Sequence, residues 1–267
     1  KKVIVDLYDA GCRNLQLDDC SWGMLVDPRA EELFGTDKKG LKDIQKLLVE
    51  INNLAIEDKP NDMTITTHVC RGNFHSTYAS AGAYDSVAEV LFEKENVDAY
   101  YLEFDDERSG GFEPLAHVNG DKKVVLGLIT TKSPKLENKA DVIARIKEAQ
   151  KYISLDRLCL SPQCGFASCE IGNKLTEEEQ WAKLQLVKEI SEEYLEIASR
   201  VVKTAREEGL KVRDSLYVTL TDHINSAVDR YRENIACFGN FSFRTVHVDT
   251  FSLCTGLSCF YGHRNHI

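Results

Sequence analysis

Short runs of β-branched and aromatic residues alternate along the chain with longer segments in which apolar residues recur every three or four positions. The short runs predict five strands, at Asn14–Asp19, Met63–Cys70, Ala99–Phe104, Lys123–Thr130 and Arg157–Leu160. The longer segments predict helices at Lys2–Ala10, Lys38–Ile56, Asp85–Glu95 and Ala140–Tyr152, with loop residues after Asp19 through Pro28. Strands and helices alternating at this spacing are typical of βαβ units and predict an α/β fold with a parallel sheet.

The C-terminal part of the sequence has a different, purely helical pattern. A helix is predicted behind Thr176, where Glu179 completes a capping box. Further apolar periodicity predicts helices at Glu192–Glu208 and in Ser215–Ile235. The sequence therefore predicts three parts, with an α/β domain over residues 1–190, a helical segment over 191–236 and an unassigned tail over 237–267.

Composition restricts the function. The formal net charge of −10 argues against a general nucleic-acid binder, which usually has a basic face. No apolar run reaches the roughly 20 residues of a membrane span, and no signal peptide opens the sequence. The nine cysteines are scattered and odd in number, as expected of reduced thiols and metal ligands rather than a disulfide framework. We therefore expect a cytoplasmic protein.

The chemically reactive residues lie at or just after the carboxyl ends of the predicted strands. His68 and Cys70 are two apart on one strand, so their side chains point to the same side and supply half of a tetrahedral zinc site. A single pair of this kind is weak evidence. It gains weight because other candidate residues occupy equivalent strand ends, namely Asp18, Glu103, Lys132 and Cys164. In parallel α/β folds, active sites lie at this edge.

Four of these residues offer a donor set that zinc accepts. His68 supplies nitrogen, Cys70 and Cys164 supply sulfur, and Glu103 supplies a carboxylate oxygen. Magnesium or calcium would favour oxygen alone. Taken singly, Cys164 also fits a small residue in a Pro-Gln-Cys-Gly turn, and Glu103 a solvated strand end.

Five motifs together resemble cobalamin-independent methionine synthase. They are the sequences at Asn14–Asp19, Thr67–Cys70, Tyr101–Glu103, Ser133–Pro134 and Leu160–Phe166, in the order of successive strand ends. The resemblance covers roughly residues 1–190 and is greatest to the shorter bacterial relatives of that family.

The resemblance implies a (β/α)8 TIM-type barrel that binds zinc through His68, Cys70, Glu103 and Cys164. It also implies that Asp18 holds the amino group of the substrate. The reaction would move a methyl group from a methyltetrahydrofolate-like donor to the zinc-bound thiol of homocysteine. A metal-bound thiol is deprotonated at neutral pH, which agrees with that chemistry.

The sequence departs from the family pattern in three respects. Lys132 stands where the family has a general-acid histidine, and it would serve either as a proton donor or as a substrate clamp. Met24 stands where the family has an acidic residue that helps hold the folate. The five predicted strands would be the last five of an eight-stranded barrel, and the first three would lie ahead of Lys1. We therefore expect a partial barrel with a helical C-terminal appendage.

The segment from about Glu192 to Ile235 resembles the opening of the PTS regulation domain of bacterial transcription antiterminators. That resemblance implies phosphorylation of His223 by a phosphotransferase-system protein, whereas the alternative is a helix with a buried or capping histidine. Two rivals to the enzyme thus remain, a regulatory module acting through His223 and an inactive fusion of two partial domains. In the tail, Cys254, Cys259 and His263 form only a weak candidate metal site.

Overall fold

The computed structural model describes the backbone of residues 1–207 and the side chains of residues 1–193. Its strands are β1 (Asn14–Asp18), β2 (Thr64–Val69), β3 (Ala99–Glu103), β4 (Lys123–Ile129) and β5 (Leu158–Pro162). Its α-helices are α1 (Lys2–Asp9), α2 (Cys20–Leu25), α3 (Ala30–Phe34), α4 (Lys38–Ile56), α5 (Asp85–Lys94), α6 (Lys139–Ala149) and α7 (Glu177–Glu207). Short 3-10 turns occupy Glu107–Ser109, Glu113–His117 and Leu155–Arg157.

The strands form one parallel sheet in the order β1-β2-β3-β4-β5, so each strand lies beside its successor in sequence. The predicted five-stranded parallel sheet is therefore confirmed. The arrangement is consistent with part of a (β/α)8 barrel. Among residues 1–207, β1 pairs only with β2 and β5 pairs only with β4, and the described strands do not close a barrel.

The strand register places three of the candidate residues, Asp18, His68 and Glu103, on one face of the sheet. Asp18 is paired with His68, and His68 is paired with Tyr101 on the next strand. Glu103 lies two residues beyond Tyr101, so its side chain points to the same face. Because all strands run in one direction, their carboxyl ends meet at a single edge of the sheet.

The opposite face of the sheet packs against helices and forms the core. Its β2 and β3 side chains are almost fully buried, as expected for a sheet face covered by crossover helices. They include Ile65, Val69, Tyr100, Leu102 and Phe104. Tyr100 illustrates the contact with α5, because its hydroxyl donates to the Leu91 carbonyl over 2.8 Å.

The expectation of loop residues after Asp19 through Pro28 was wrong for its first part, where helix α2 covers Cys20–Leu25. Asp19 is the N-cap residue of α2, and its carboxylate accepts a hydrogen bond from the Ser21 backbone amide over 3.1 Å. Helix α2 lies against β2 at Gly23, where an added Cβ would collide with the Cys70 carbonyl oxygen. This close approach fixes α2 beside the carboxyl end of β2.

Helix α7 begins as predicted. The Thr176 amide donates to the Glu179 carboxylate over 2.8 Å, and the Glu179 amide donates to the Thr176 hydroxyl over 3.2 Å, which confirms the capping box. One continuous helix then covers the two segments that the sequence pattern separates, because α7 extends to Glu207. His223, the tail cysteines and the remaining predicted helix lie outside the described residues.

None of the helices described within residues 1–207 has both the length and the apolar character that a membrane crossing requires.

Glu95, after helix α5, is a fully buried carboxyl group that makes stability depend on pH. One of its oxygens accepts from the Asn52 side chain over 2.7 Å, and the other has no hydrogen-bond partner. Burial raises the pKa of Glu95 to about 7 from an ordinary value of 4.5. Because the folded protein holds this proton more tightly, the associated stability is present below pH 4.5 and is lost as pH rises through about 7.

We therefore expect Glu95→Gln to remove a pH-dependent loss of stability. The free energy of unfolding of the wild type should fall relative to that of the variant by about 2.5 kcal/mol between roughly pH 5 and pH 8. Denaturant unfolding of both proteins at the two pH values measures this difference. Parallel pH profiles of wild type and variant would contradict the role given to Glu95.

Candidate metal centre

The structure brings four side chains from three strand ends into one cluster. One donor atom from each of His68, Cys70, Glu103 and Cys164 lies within 4.8 Å of the others. His68 lies in β2, Cys70 follows it directly, Glu103 ends β3, and Cys164 follows β5. The sequence places Cys164 almost a hundred residues from His68, so only the parallel sheet brings the two together.

His68 is oriented by the neighbouring strand. Its ring Nδ1 lies 3.2 Å from the Tyr101 carbonyl oxygen, which accepts a hydrogen bond when Nδ1 carries the proton. The other ring nitrogen, Nε2, is buried without a hydrogen-bond partner and lies 3.9 Å from a Glu103 oxygen. A neutral imidazole held in this tautomer presents an unprotonated Nε2 to the cluster.

Glu103 is fully buried, and two groups hold its carboxylate. The Arg71 backbone amide donates to one oxygen over 2.9 Å, and the Arg108 guanidinium donates to the other over 2.9 Å. Burial raises the pKa of Glu103, whereas these donors and Lys132 act in the opposite direction. The backbone amide of Glu103 also donates to the Tyr84 hydroxyl over 3.0 Å, which fixes the end of β3.

The two cysteines of the cluster share a proton unequally. The hydrogen bond from Cys164 lowers the pKa of Cys70 to about 3, with burial opposing the shift and His68 supporting it. The same hydrogen bond and burial raise the pKa of Cys164 far above its ordinary value. For His68, burial lowers the pKa, but the Cys70 thiolate outweighs that effect and the net change is upward. Ionising all of these donors together would gather negative charge in a buried site, and a bound cation would stabilise that charge.

The donors present fit a zinc ion. They comprise one imidazole nitrogen, two sulfurs and one carboxylate oxygen, all of which zinc accepts in a tetrahedral shell. The unpartnered buried Nε2 of His68 is the kind of atom that a metal ion would satisfy. Hydrogen bonds from outside the donor set already orient His68 and Glu103, as is usual around metal ligands. The assignment of these four residues as zinc ligands stays a prediction.

Asp18 and a residue that the sequence analysis missed flank the cluster. Asp18, Cys20 and Cys70 also have donor atoms within 4.8 Å of one another. Partial burial raises the pKa of Asp18, and it raises the pKa of Cys20 to about 11, with Cys70 contributing to both shifts. Asp18 and Cys20 are two residues apart, the same spacing as His68 and Cys70, and this spacing was the signal available in the sequence. Strand alternation does not explain how they come together, because Asp18 ends strand β1 whereas Cys20 begins helix α2.

Lys132 lies near the cluster but is not one of its four donors. Its ammonium group is 3.2 Å from the Asn73 side-chain oxygen, and Asn73 donates in turn to the Gly165 carbonyl over 2.6 Å. Asn173 donates to the same Asn73 oxygen over 2.8 Å. Asn73 and Asn173 therefore join the loops after β2 and β5 around Cys164. Sequence reasoning missed both residues, because neither stands in a recognisable motif.

The fold and the cluster together show the class of this protein. It is an α/β protein whose parallel sheet carries a His-Cys-Glu-Cys group at its carboxyl edge. Residues 1–193 match the family model described as the cobalamin-independent synthase catalytic domain. The match covers most of the chain, and the chain belongs to this family. It ends at residue 193, at the start of the segment predicted to resemble a PTS regulation domain, and none of these comparisons supports that resemblance.

Two relatives from Bacillus subtilis strain 168 are similar over the same region. The uncharacterized protein YxjG is 53% identical over 195 residues, which is 72% of this chain and 51% of YxjG. The uncharacterized protein YxjH is 51% identical over 192 residues, again 72% of this chain and 51% of the relative. A 5-methyltetrahydropteroyltriglutamate–homocysteine methyltransferase from Herpetosiphon aurantiacus is 23% identical over 164 residues, covering 61% of this chain and 19% of that protein.

Two solved structures are similar to about three quarters of this chain. A putative vitamin-B12 independent methionine synthase from Listeria monocytogenes has 43% identity and a TM-score of 0.56, covering 72% of this chain and 51% of that one. A B12-independent methionine synthase from Shewanella sp. W3-18-1, solved in complex with selenomethionine, has 19% identity and a TM-score of 0.52. It covers 74% of this chain and 52% of that one, and at this identity it supports the fold alone. This chain thus spans about half the length of these two structures and of the two Bacillus relatives.

Proposed function

We propose that this chain carries the zinc-binding part of a methyltransferase that moves a methyl group from a methyltetrahydrofolate-like donor to the thiol of homocysteine. The observation that carries the proposal is the convergence of His68, Cys70, Glu103 and Cys164 at one edge of the sheet. Membership of the cobalamin-independent synthase family supports the same chemistry. When bound, a zinc ion would lower the pKa of the substrate thiol so that it ionises at neutral pH.

The residues of the cluster have distinct roles in this proposal. His68, Cys70 and Cys164 are the softer nitrogen and sulfur donors, which zinc retains best. Glu103 would supply the only hard oxygen of the donor set, so it would be the ligand that a substrate thiol displaces most readily. Its carboxylate keeps two other hydrogen-bond donors, the Arg71 amide and Arg108, and so remains stabilised after such an exchange.

Two further side chains bind and orient the substrates. Asp18 lies in register with His68 on the adjacent strand, and its carboxylate would accept the ammonium group of homocysteine. In the reaction the carbon–nitrogen bond of the methyl donor breaks, a carbon–sulfur bond forms, and the departing nitrogen takes a proton. Lys132 would either supply that proton or clamp a substrate, and the contact of its ammonium group with Asn73 supports such a role.

Calorimetry with zinc-loaded protein tests this function. Homocysteine should bind and release a proton, measured as a dependence of the binding enthalpy on the buffer. Homoserine, which replaces the thiol by a hydroxyl, should bind at least about tenfold more weakly because an alcohol does not ionise at neutral pH. Asp18→Asn should weaken both ligands, because both carry the same ammonium group. Equal affinities for homocysteine and homoserine, or no binding of either, would refute the proposal.

A further inference from the structure

A second group of metal-binding atoms adjoins the first. It consists of one carboxylate oxygen of Asp18 and the sulfurs of Cys20 and Cys70, all within 4.8 Å of one another. We propose that this group binds a second thiophilic divalent cation, such as Zn²⁺, with the Cys70 sulfur shared between the two sites. The inference rests on the proposed function in one respect, because it takes Cys70 as a ligand of the first ion as well.

Local structure fixes the positions of these donors. Asp18 ends β1 and Cys20 begins α2, with Asp19 between them as the helix cap. The Asp19 carboxylate accepts from the Ser21 amide over 3.1 Å and from the Asn52 side chain over 3.0 Å, so this residue is already engaged in holding the junction. The close packing of Gly23 on the Cys70 carbonyl then holds α2 against the end of β2. The three donors therefore belong to a fixed strand–helix junction.

No basic side chain among the described residues forms an ion pair with Asp18. The His68 imidazole faces Asp18 and acts to lower the pKa of that carboxyl group, but His68 belongs to the first group of ligands. A carboxylate and two thiol groups thus face one another without a lysine or arginine of the described residues paired to them. A bound metal ion would supply the missing positive charge and replace repulsion by coordination.

The donor set indicates the class of ion and its strength of binding. Two sulfurs and one oxygen favour a thiophilic metal such as zinc or cadmium over magnesium or calcium. Three protein ligands leave a coordination position open, whereas the first group supplies four. Asp18 and Cys20 are exposed, so the second ion should bind more weakly and exchange faster than the first. Occupation of Asp18 would also exclude the substrate ammonium group, and excess zinc would therefore compete with homocysteine.

Titration of the metal-free protein with Cd²⁺ tests this second site. Equilibrium dialysis gives the number of bound ions, and the ultraviolet charge-transfer absorption reports bonds between thiolates and cadmium. Cys20→Ser should bind one ion fewer per chain than the wild type, or bind that ion at least about tenfold more weakly. Cys169→Ser removes another exposed thiol that lies outside both groups, and it should leave the titration unchanged.

Two further variants separate this inference from the proposed function. Cys164→Ser should lose the tightly bound ion and keep the one that depends on Cys20, whereas Cys70→Ser should lose both. If Cys20→Ser binds cadmium like the wild type, the second site does not exist, whatever becomes of the first. A wild type in which only the ion dependent on Cys164 binds would leave the proposed function standing and overturn the second site. Absence of all cadmium binding would overturn both.

Discussion

Cys70→Ser and Cys164→Ser should each deprive the purified protein of its tightly bound zinc, whereas Cys159→Ser should retain it. The wild type should hold about one tightly bound zinc ion per chain after dialysis, given one closed four-donor group. A serine hydroxyl does not ionise at neutral pH, so each change removes a sulfur donor that zinc favours. The affinity for zinc should fall by on the order of 100-fold or more, since changes outside the ligand shell alone cost about 10–100-fold.

Cys159 is the matched control because it is also a cysteine of the β5 region but lies within the strand, paired with Val125, rather than beyond its end. Metal content measured by mass spectrometry after dialysis against a weak chelator gives the comparison. A wild type free of zinc after purification from zinc-supplemented medium would refute the ligand assignment. A Cys159→Ser variant that lost zinc as readily as Cys164→Ser would refute it equally.

Arg108→Met should lower the free energy of unfolding by about 3–5 kcal/mol, because it removes the cationic partner of buried carboxylates. Arg108 contacts Glu103 over 2.9 Å and Asp105 over 2.8 Å, and the Glu103 and Asp105 side chains are at most 1% exposed. Without the guanidinium, two negative charges would remain in a site from which water is excluded. Denaturant unfolding of metal-free wild type and variant measures the loss.

A second substitution separates the effect of charge from that of packing. Without Arg108, the buried carboxylates of Glu103 and Asp105 lack their cationic partner. Glu103→Gln in the Arg108→Met background removes one of these two negative charges, so the double variant should regain part of the lost stability. Lys46→Met is the surface control. Its pair with Asp43 spans 3.7 Å between exposed side chains, and the substitution should cost about 1 kcal/mol or less. A loss of similar size in Arg108→Met and Lys46→Met would contradict the role given to Arg108.

The strands and most helices follow from local sequence. Alternating apolar runs predicted all five strands to within a few residues, because each strand is a short β-branched or aromatic segment between turn residues. The apolar pattern did not predict helix α2, because six residues are too few to show a helical period. This helix depends instead on the Asp19 cap and on the close contact of Gly23 with the Cys70 carbonyl at the end of β2. It also divided α7 in two, since an apolar pattern can shift along a helix without the helix ending.

The sequence by itself determined which donor types are present and that His68 and Cys70 share a strand face, because alternation along a strand is a local property. Tertiary structure alone decided that Glu103 and Cys164 reach them, since this depends on the order and register of three parallel strands. It likewise decided that Arg108 neutralises Glu103 and that Cys20 adjoins Cys70. Such contacts join residues whose positions in the chain carry no shared period, so only the folded backbone specifies them.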